Sequence, residues 1–258
     1  MKLTLFCWAL WLLSPAASAN SLCPSPLRVG FDHWPPYHYY DSATTDDKVL
    51  KGFAVETLNA MLTRLGCQVT YVERPWKRIL HDLDLELGSL DIAMEAYSNK
   101  ERARYAWFSD GYNPGRSVLW VRKSSSYPES DLASWLASGH ILGVTKDYYY
   151  GAETADLLRR YADQVSVVND HQNYGKLVLG RIDGFLGDIL ATPWGLKEEG
   201  LNDLIVPHVM AVYEAPTFFM FSKQRLSPAF VRAFNRELAE FKATNEYDVI
   251  WRRYAPAS

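Results

Sequence analysis

Cysteine is scarce in this chain, 3 among 258 residues, too few for a small scaffold held together by cross-links. Long hydrophobic runs are missing as well. The one at Leu3–Leu13 is too short to span about 30 Å of hydrocarbon, and no later stretch approaches the roughly 18 uncharged apolar residues of a membrane helix. Neither charge sign dominates. Lys plus Arg is 27 against 30 for Asp plus Glu, a formal charge of -3, which argues against a nucleic-acid binder that lives on phosphate neutralisation. The 6 histidines are scattered, and His33 and His38 have neither zinc-site spacing nor a cysteine pair beside them, so no metal site is expected. No nucleophile–base pair or phosphate loop is evident, and no cofactor is expected. What is present is 48% apolar and 22% charged residues, a balance that excludes a disordered tail or a low-complexity fibre. The length suffices for one large domain or two smaller ones.

The N-terminus has the layout of an export signal. Lys2 precedes the apolar run, Ser14-Pro15 breaks it, and Ala16-Ala17-Ser18-Ala19 offers a small-residue cleavage site, with cutting expected after Ala19. Asn20-Ser21-Leu22-Cys23 fits a lipid anchor poorly. The exported chain keeps two cysteines, Cys23 and Cys67, and two thiols in an oxidising compartment usually pair. Each stands just ahead of a strand-like run, 27–31 and 68–72; if those strands are parallel neighbours, their starts lie within reach of a disulfide.

Strands and helices then alternate. The strand at 27–31 enters an aromatic turn, Asp32-His33-Trp34-Pro35-Pro36-Tyr37. Val55, Leu58, Met61, Leu62 and Leu65 make a helical stripe stopped by Gly66. After the strand at 68–72, Ile79, Leu80, Leu83 and Leu87 mark a second helix ending at Gly88, and 90–94 is a third strand. This is a parallel, helix-covered α/β arrangement. A second set follows: strand 140–144, helix 152–161, strand 165–168, a helix at 174–179 capped by Asn169 or Asp170, and strand 182–186. Two β-rich runs, 117–123 and 217–223, lie between and after the sets. Ser227-Pro228 opens a helix with Phe230, Phe234, Leu238 and Phe241 on one face, and Tyr247, Ile250, Trp251 and Tyr254 mark a last one. The expectation is two α/β lobes, the second inserted in the first: 20–121 plus 215–258 as lobe 1 and 122–214 as lobe 2. Ligand sites in such sheets lie beyond the carboxyl ends of the strands, and a cleft between lobes is a favoured place.

The segment Asn99-Lys100-Glu101-Arg102-Ala103-Arg104-Tyr105-Ala106-Trp107-Phe108-Ser109-Asp110-Gly111-Tyr112 resembles a signature of the periplasmic solute-binding proteins of the polar amino-acid ABC-transporter type, bacterial solute-binding protein family 3. Leu27-Arg28-Val29-Gly30, Gly52-Phe53-Ala54-Val55-Glu56, Gly180-Arg181-Ile182-Asp183-Gly184 ahead of Asp188, and the terminal helices agree with that family in order and spacing. The resemblance implies a two-lobed periplasmic binding protein fold of type II, each lobe a helix-covered, mostly parallel sheet. It also implies hinge closure around a small polar solute, an ABC permease or membrane sensor as partner, and a monomer.

The resemblance assigns Arg102 to a ligand carboxylate, which a guanidinium fork grips through two parallel hydrogen bonds; composition alone makes it a surface arginine in a charged run. Asp188 matches an acid that pairs the ligand's amino group, and it also reads as a helix N-cap. Trp34 aligns with an aromatic that stacks on the ligand, or serves as a rim residue beside Pro35-Pro36. Asn99 stands where the family has threonine, Tyr97 and Glu95 replace small residues, and Asp147-Tyr148 replaces Gly-Thr. This extra acid and bulk favour a cationic or amine-bearing solute, or an aromatic one stacked among Trp34, Tyr37, Trp76 and Tyr148. Trp76, within Arg74-Pro75-Trp76-Lys77-Arg78, either reaches the cleft or simply begins a helix. The alternative class is an enzyme on the same scaffold, of the cyclohexadienyl dehydratase kind, with Glu95 or Asp147 as general acid; with no nucleophile–base pair, metal cluster or phosphate loop, and without the dehydratase's characteristic first-strand loop, a non-catalytic binding protein is the expected reading.

Overall fold

The computed structural model describes residues 22–23, 26–41, 49–85, 88–168 and 172–255. The export segment 1–19, Leu87 and the Asn169/Asp170 cap lie outside the described residues. In chain order come β1 (Leu27–Phe31), the short pair β2 (Tyr39–Tyr40) and β3 (Leu50–Lys51), α1 (Phe53–Arg64), β4 (Val69–Glu73), α2 (Trp76–Asp84), β5 (Ile92–Ala96), the single turn α3 (Arg102–Tyr105) and β6 (Ala106–Phe108). Then β7 (Asn113–Arg122) leads into α4 (Leu132–Ala137), β8 (Leu142–Thr145), α5 (Ala152–Arg160), β9 (Val165–Val168), α6 (Gln172–Val178), β10 (Gly184–Asp188) and α7 (Ala191–Glu198). A long return strand, β11 (Ile205–Ser222), precedes α8 (Pro228–Lys242) and α9 (Asn245–Tyr254).

Local chemistry accounts for the helices that matter most to the core. In α1 the stripe Val55, Leu58, Met61 and Leu62 is buried. Ser227 caps α8 by accepting the Phe230 N–H at 3.2 Å, Pro228 fills the first turn, and Phe230, Phe234, Leu238 and Phe241 are buried beneath it. No helix among the described residues is long and apolar enough to cross a membrane.

The strands form two mostly parallel sets joined through two long strands. β1 lies between β4 and β5, parallel to both; β9, β8 and β10 are parallel to one another. β7 and β11, antiparallel to each other, run between the sets: β11 ends beside β5 and β6 and begins beside β7, which carries β10 on its other edge. The cores divide in the same way. One unites residues of α1, β1, α8 and α9; two others gather residues of β7 to β10 and the start of β11. The second half is thus an insertion in the first. Val118, Leu119, Trp120 and Val121 of β7 pack in the cores of the second half.

Some details differ from expectation. β10 runs two residues later than 182–186, because its pairing with β7 starts at Gly184 opposite Val121 and ends at Asp188 opposite Ser117. β11 extends far ahead of the run at 217–223. Its early residues are half-exposed and include Pro207 and Pro216, which hides the strand from an alternation pattern. α4, with buried Leu132, Trp135 and Leu136, is a further element, capped by Asp131 accepting the Ser134 N–H.

Cys23 and Cys67 are joined by a disulfide with Cα atoms 5.7 Å apart. β1 and β4 pair from Leu27 opposite Val69, so the two cysteines precede adjacent parallel strand starts.

Candidate functional site

The carboxyl ends of the parallel strands from both halves meet around one cavity of about 50 Å³, where ligand sites of such sheets are found. Asp32, Trp34 and His38 come from the segment after β1, Trp76 from the start of α2, and Met94, Glu95 and Tyr97 from β5 and the residue after it. Arg102 comes from α3 and Ser117 from β7. The facing wall is Tyr148, Tyr149 and Tyr150 after β8, with Gly187 and Asp188 ending β10.

Arg102 is 6% exposed, not a solvated surface arginine. Its helix is started by Asn99, whose side chain accepts the Arg102 N–H at 2.8 Å; Asn99 therefore acts through the backbone and does not line the cavity. The guanidinium donates from Nη1 to the Tyr97 carbonyl at 2.9 Å and from Nη2 to the Asp147 carbonyl at 3.3 Å. It also sits 5.3 Å from the Trp76 ring centroid, a cation–π arrangement. A guanidinium has five N–H groups, so these two bonds leave donors for a guest. The Arg102–Asp147 bond crosses between the halves. Asp147 has φ +63°, the left-handed region that few side chains favour, and it presents its carbonyl to the arginine; its side chain is not part of the cavity lining.

Asp188 receives three donors on one oxygen: the backbone N–H groups of Leu190 and Ala191 at 2.8 and 2.7 Å, and the Tyr37 hydroxyl at 3.0 Å. All three fall on Oδ1. The aspartate thus caps the turn into α7 and lines the cavity as well. Burial pushes its carboxyl up to about 6, against the pull of these hydrogen bonds. Tyr37 is 1% exposed; it lies beneath the cavity as the partner of Asp188, not as a stacking wall.

Glu95 occupies a left-handed position too, φ +52°. Its carboxylate accepts from the Tyr112 hydroxyl, from Asn113 Nδ2 at 2.9 Å and from Thr217 Oγ1 at 2.7 Å. Asn113 and Thr217 are paired residues of β7 and β11, so this acid ties the cavity floor to the two strands that join the halves. Burial raises its pKa to about 7, with the nearby Asp188 charge adding to the rise and the three hydrogen bonds opposing it.

Aromatic rings close the sides. Trp34 meets Tyr148 across the halves at 5.9 Å and 71°, and Trp34 also lies 4.8 Å from Tyr37. Tyr97 stands edge-on to Tyr213 at 5.0 Å. Of the residues singled out in the sequence, the fold brings Arg102, Asp188, Trp34, Tyr97, Glu95, Tyr148 and Trp76 to one cavity, and leaves Asn99 and Tyr37 behind its wall. It adds Asp32, His38, Met94, Ser117, Tyr149, Tyr150 and Gly187. Asp32 was visible as an acid at the mouth of the aromatic turn after β1. The His38 ring bonds to the Asp32 carbonyl at 2.7 Å, and burial holds the imidazole down to about 4, neutral near pH 7. No cluster of His, Cys, Asp and Glu among the described residues suits a metal ion.

Comparison with known proteins agrees with this architecture. The family model for bacterial extracellular solute-binding proteins, family 3, matches residues 27–257. The histidine-binding periplasmic protein of Salmonella typhimurium is 24% identical over 263 residues, covering 98% of this chain and 96% of that protein. Among solved structures, a histidine kinase sensor domain similar to periplasmic binding proteins superposes with a TM-score of 0.75 at 20% identity, covering 89% of this chain and 96% of the other. An ancestral arginine-binding protein bound to arginine gives 0.71 at 21% identity, covering 90% and 99%. A two-lobed α/β fold with its cleft at the strand ends, and a family match spanning the described core, lead to one conclusion: the chain belongs to the bacterial extracellular solute-binding proteins, family 3.

Proposed function

We propose that this protein binds a cationic amino acid, or a closely related amine, in the cleft between its halves, as a monomer, and presents the closed form to an ABC permease or a membrane sensor. The observation that carries this reading is the charge of the cavity: three carboxylates, Asp32, Glu95 and Asp188, surround a single fixed cation, Arg102. A guest with one carboxylate for Arg102 and two positive groups for the acids offsets part of that negative field, and the aromatic walls cover its apolar stem. Arg102 takes the carboxylate and Asp188 the α-amino group, Oδ2 being left by the capping bonds on Oδ1. Glu95 and Asp32 add to the negative field of the cleft, which favours a guest with a second cation. Trp34, Tyr97, Trp76 and Tyr148 enclose the guest, while Tyr37 and Asn99 position Asp188 and Arg102. Relatives that bind L-arginine, or lysine, arginine and ornithine, support a positively charged guest.

Hinge bending belongs where β7 and β11 leave the first half, at Asn113–Gly115 opposite Ala215–Thr217, with lobe 2 between. Residues 1–19 act as an export signal cut after Ala19, in keeping with the periplasmic relatives. The binding role is preferred to dehydration because the Glu95 carboxylate is held by three donors and Asp147 does not line the cavity; prephenate turnover above background overturns that preference.

A thermal-shift panel on the exported chain tests the proposal. L-Lysine, L-arginine, L-ornithine or L-histidine should raise the melting temperature, and L-norleucine, L-citrulline and L-glutamate should do so less or not at all. Ligand at 100 times its Kd adds about 2.7 kcal/mol. A stronger response to L-glutamate than to every cation, or no response to any amino acid or amine, refutes it.

A further inference from the structure

On the second-half side of Asp188 lies a smaller cavity of about 20 Å³. Trp34, Tyr148, Gly187 and Asp188 line both cavities, so the smaller one adjoins the cleft across these residues. Trp34 and Pro35 of the first half roof it against residues 145–195 of the second; it is complete only when the halves are closed.

Its distinguishing feature is an acceptor with nothing to accept. Asn173, on α6, is 2% exposed, lines this cavity, and its Oδ1 has no hydrogen-bond partner among the described residues. A buried, unpaired amide oxygen is costly, so a fold that keeps one beside a ligand cleft is keeping it for something. The surroundings are shaped to admit it. A Cβ on Gly143 would come within 2.4 Å of Oδ1, and one on Gly195 within 2.6 Å of the Tyr174 hydroxyl, so two bare backbone positions make the room that these polar atoms occupy. The remaining polar lining is Thr145 and Thr192. The volume is that of one water-sized group: an ammonium or hydroxyl fits, a planar guanidinium or imidazole does not.

We propose that this side cavity is a second subsite of the cleft, which receives a hydrogen-bond donor head carried by the bound solute, with Asn173 Oδ1 as its acceptor. The inference rests on the cleft being a solute site and narrows the solute to one bearing a compact second donor, an ammonium or hydroxyl, in addition to the group held at Asp188. Because the roof comes from the opposite half, filling the subsite also favours closure.

Three probes separate hydrogen bonding from charge: L-ornithine, L-homoserine and L-norvaline, titrated calorimetrically into the exported chain. L-Homoserine and L-norvaline differ in a donor head and not in charge. The wild-type chain should bind L-homoserine at least about tenfold more tightly than L-norvaline, and L-ornithine more tightly still. In Asn173→Leu and Asn173→Ala the homoserine preference should fall below about threefold. Without ligand, Asn173→Leu, which removes the unpaired oxygen at similar volume, should melt about 2–4 °C above wild type. A folded variant that keeps the wild-type preference overturns the subsite, and so does a ligand-free Asn173→Leu that melts below wild type, the result expected if an ordered water satisfies the amide. Binding of all three probes without donor preference removes the subsite alone; failure of every probe and of the cationic panel removes the reading of the cleft and the subsite with it.

Discussion

Asp188 illustrates how one side chain serves fold and site at once. Its Oδ1 accepts two backbone N–H groups at the entry to α7 and the Tyr37 hydroxyl from the other half, while its charge faces a cavity that burial makes hostile to charge. An asparagine retains the accepting oxygen and loses only the charge. Asp188→Asn should therefore leave the melting temperature of the empty protein within a few degrees of wild type, yet weaken binding of L-lysine by roughly 10- to 100-fold, the range of a lost charge-assisted hydrogen bond. Isothermal titration of both proteins checks the pairing of these outcomes; unchanged affinity removes Asp188 as the ammonium anchor. Arg102 differs in kind. Its motif was legible, but its carbonyl partners were not, because the Asp147 bond depends on a residue 45 positions away and on a left-handed backbone that no local pattern announces.

At the level of elements, the disulfide ties the starts of two parallel strands, β1 and β4, across a separation of 44 residues. Loop-closure entropy puts the loss on removing such a cross-link at about 4 kcal/mol. Cys23→Ser with Cys67→Ser should accordingly lower the melting temperature by roughly 8–16 °C without changing ligand affinity, since neither cysteine lines the cavity. Addition of reductant to the wild-type protein should reproduce the shift, and an unaltered melting curve in the double variant contradicts it. The pairing could be foreseen because the strands flanking it were apolar and their helix between them periodic. The same clarity held for α1 and α8, whose buried stripes repeat every three to four residues. It failed for β11: its first part alternates little, carries prolines, and is a strand because β7 offers it a partner. It failed as well for α3, a single turn that Asn99 starts from outside. Sequence periodicity reports what an element buries, so elements held mainly by long-range pairing or by one side-chain cap escape it.

For the molecule as a whole, the acids at the cleft couple the proton to both stability and binding. Glu95 has its folded pKa raised by burial from 4.5 to about 7, so the folded state holds a proton that the unfolded chain has released. Stability from this group is complete below the unfolded pKa and is lost as pH rises through about 7. Asp188 acts in the same direction, its contribution being lost as pH rises through about 6. His38, lowered to about 4 by burial, acts in the opposite direction, adding stability as pH rises between about 4 and 6.5. Above pH 6 what remains of the Asp188 and His38 contributions is smaller and opposed in sign, so the net change from pH 6 to 8 follows Glu95. Across it the empty protein should lose about 1 kcal/mol, a fall of roughly 2–4 °C in melting temperature. Glu95→Gln, which mimics the protonated carboxyl and keeps an oxygen for Asn113 and Thr217, should abolish that fall. Affinity for a cationic guest must move the other way. A cation in the cleft is favoured by the field of ionised Glu95, whose population rises about tenfold between pH 6 and 8 for a pKa near 7, so L-lysine should bind up to about tenfold more tightly at pH 8 and expel protons as it binds. Calorimetry in buffers of different ionisation enthalpy reads that proton release directly. Because Glu95 is hydrogen-bonded to Asn113 and Thr217 of the two joining strands, the group proposed to sense the guest's charge also ties together the strands about which the halves would turn. A pH-independent affinity in wild type, or a pH slope that persists in Glu95→Gln, detaches the acid from binding and leaves it a purely structural tie between β5 and the crossing strands.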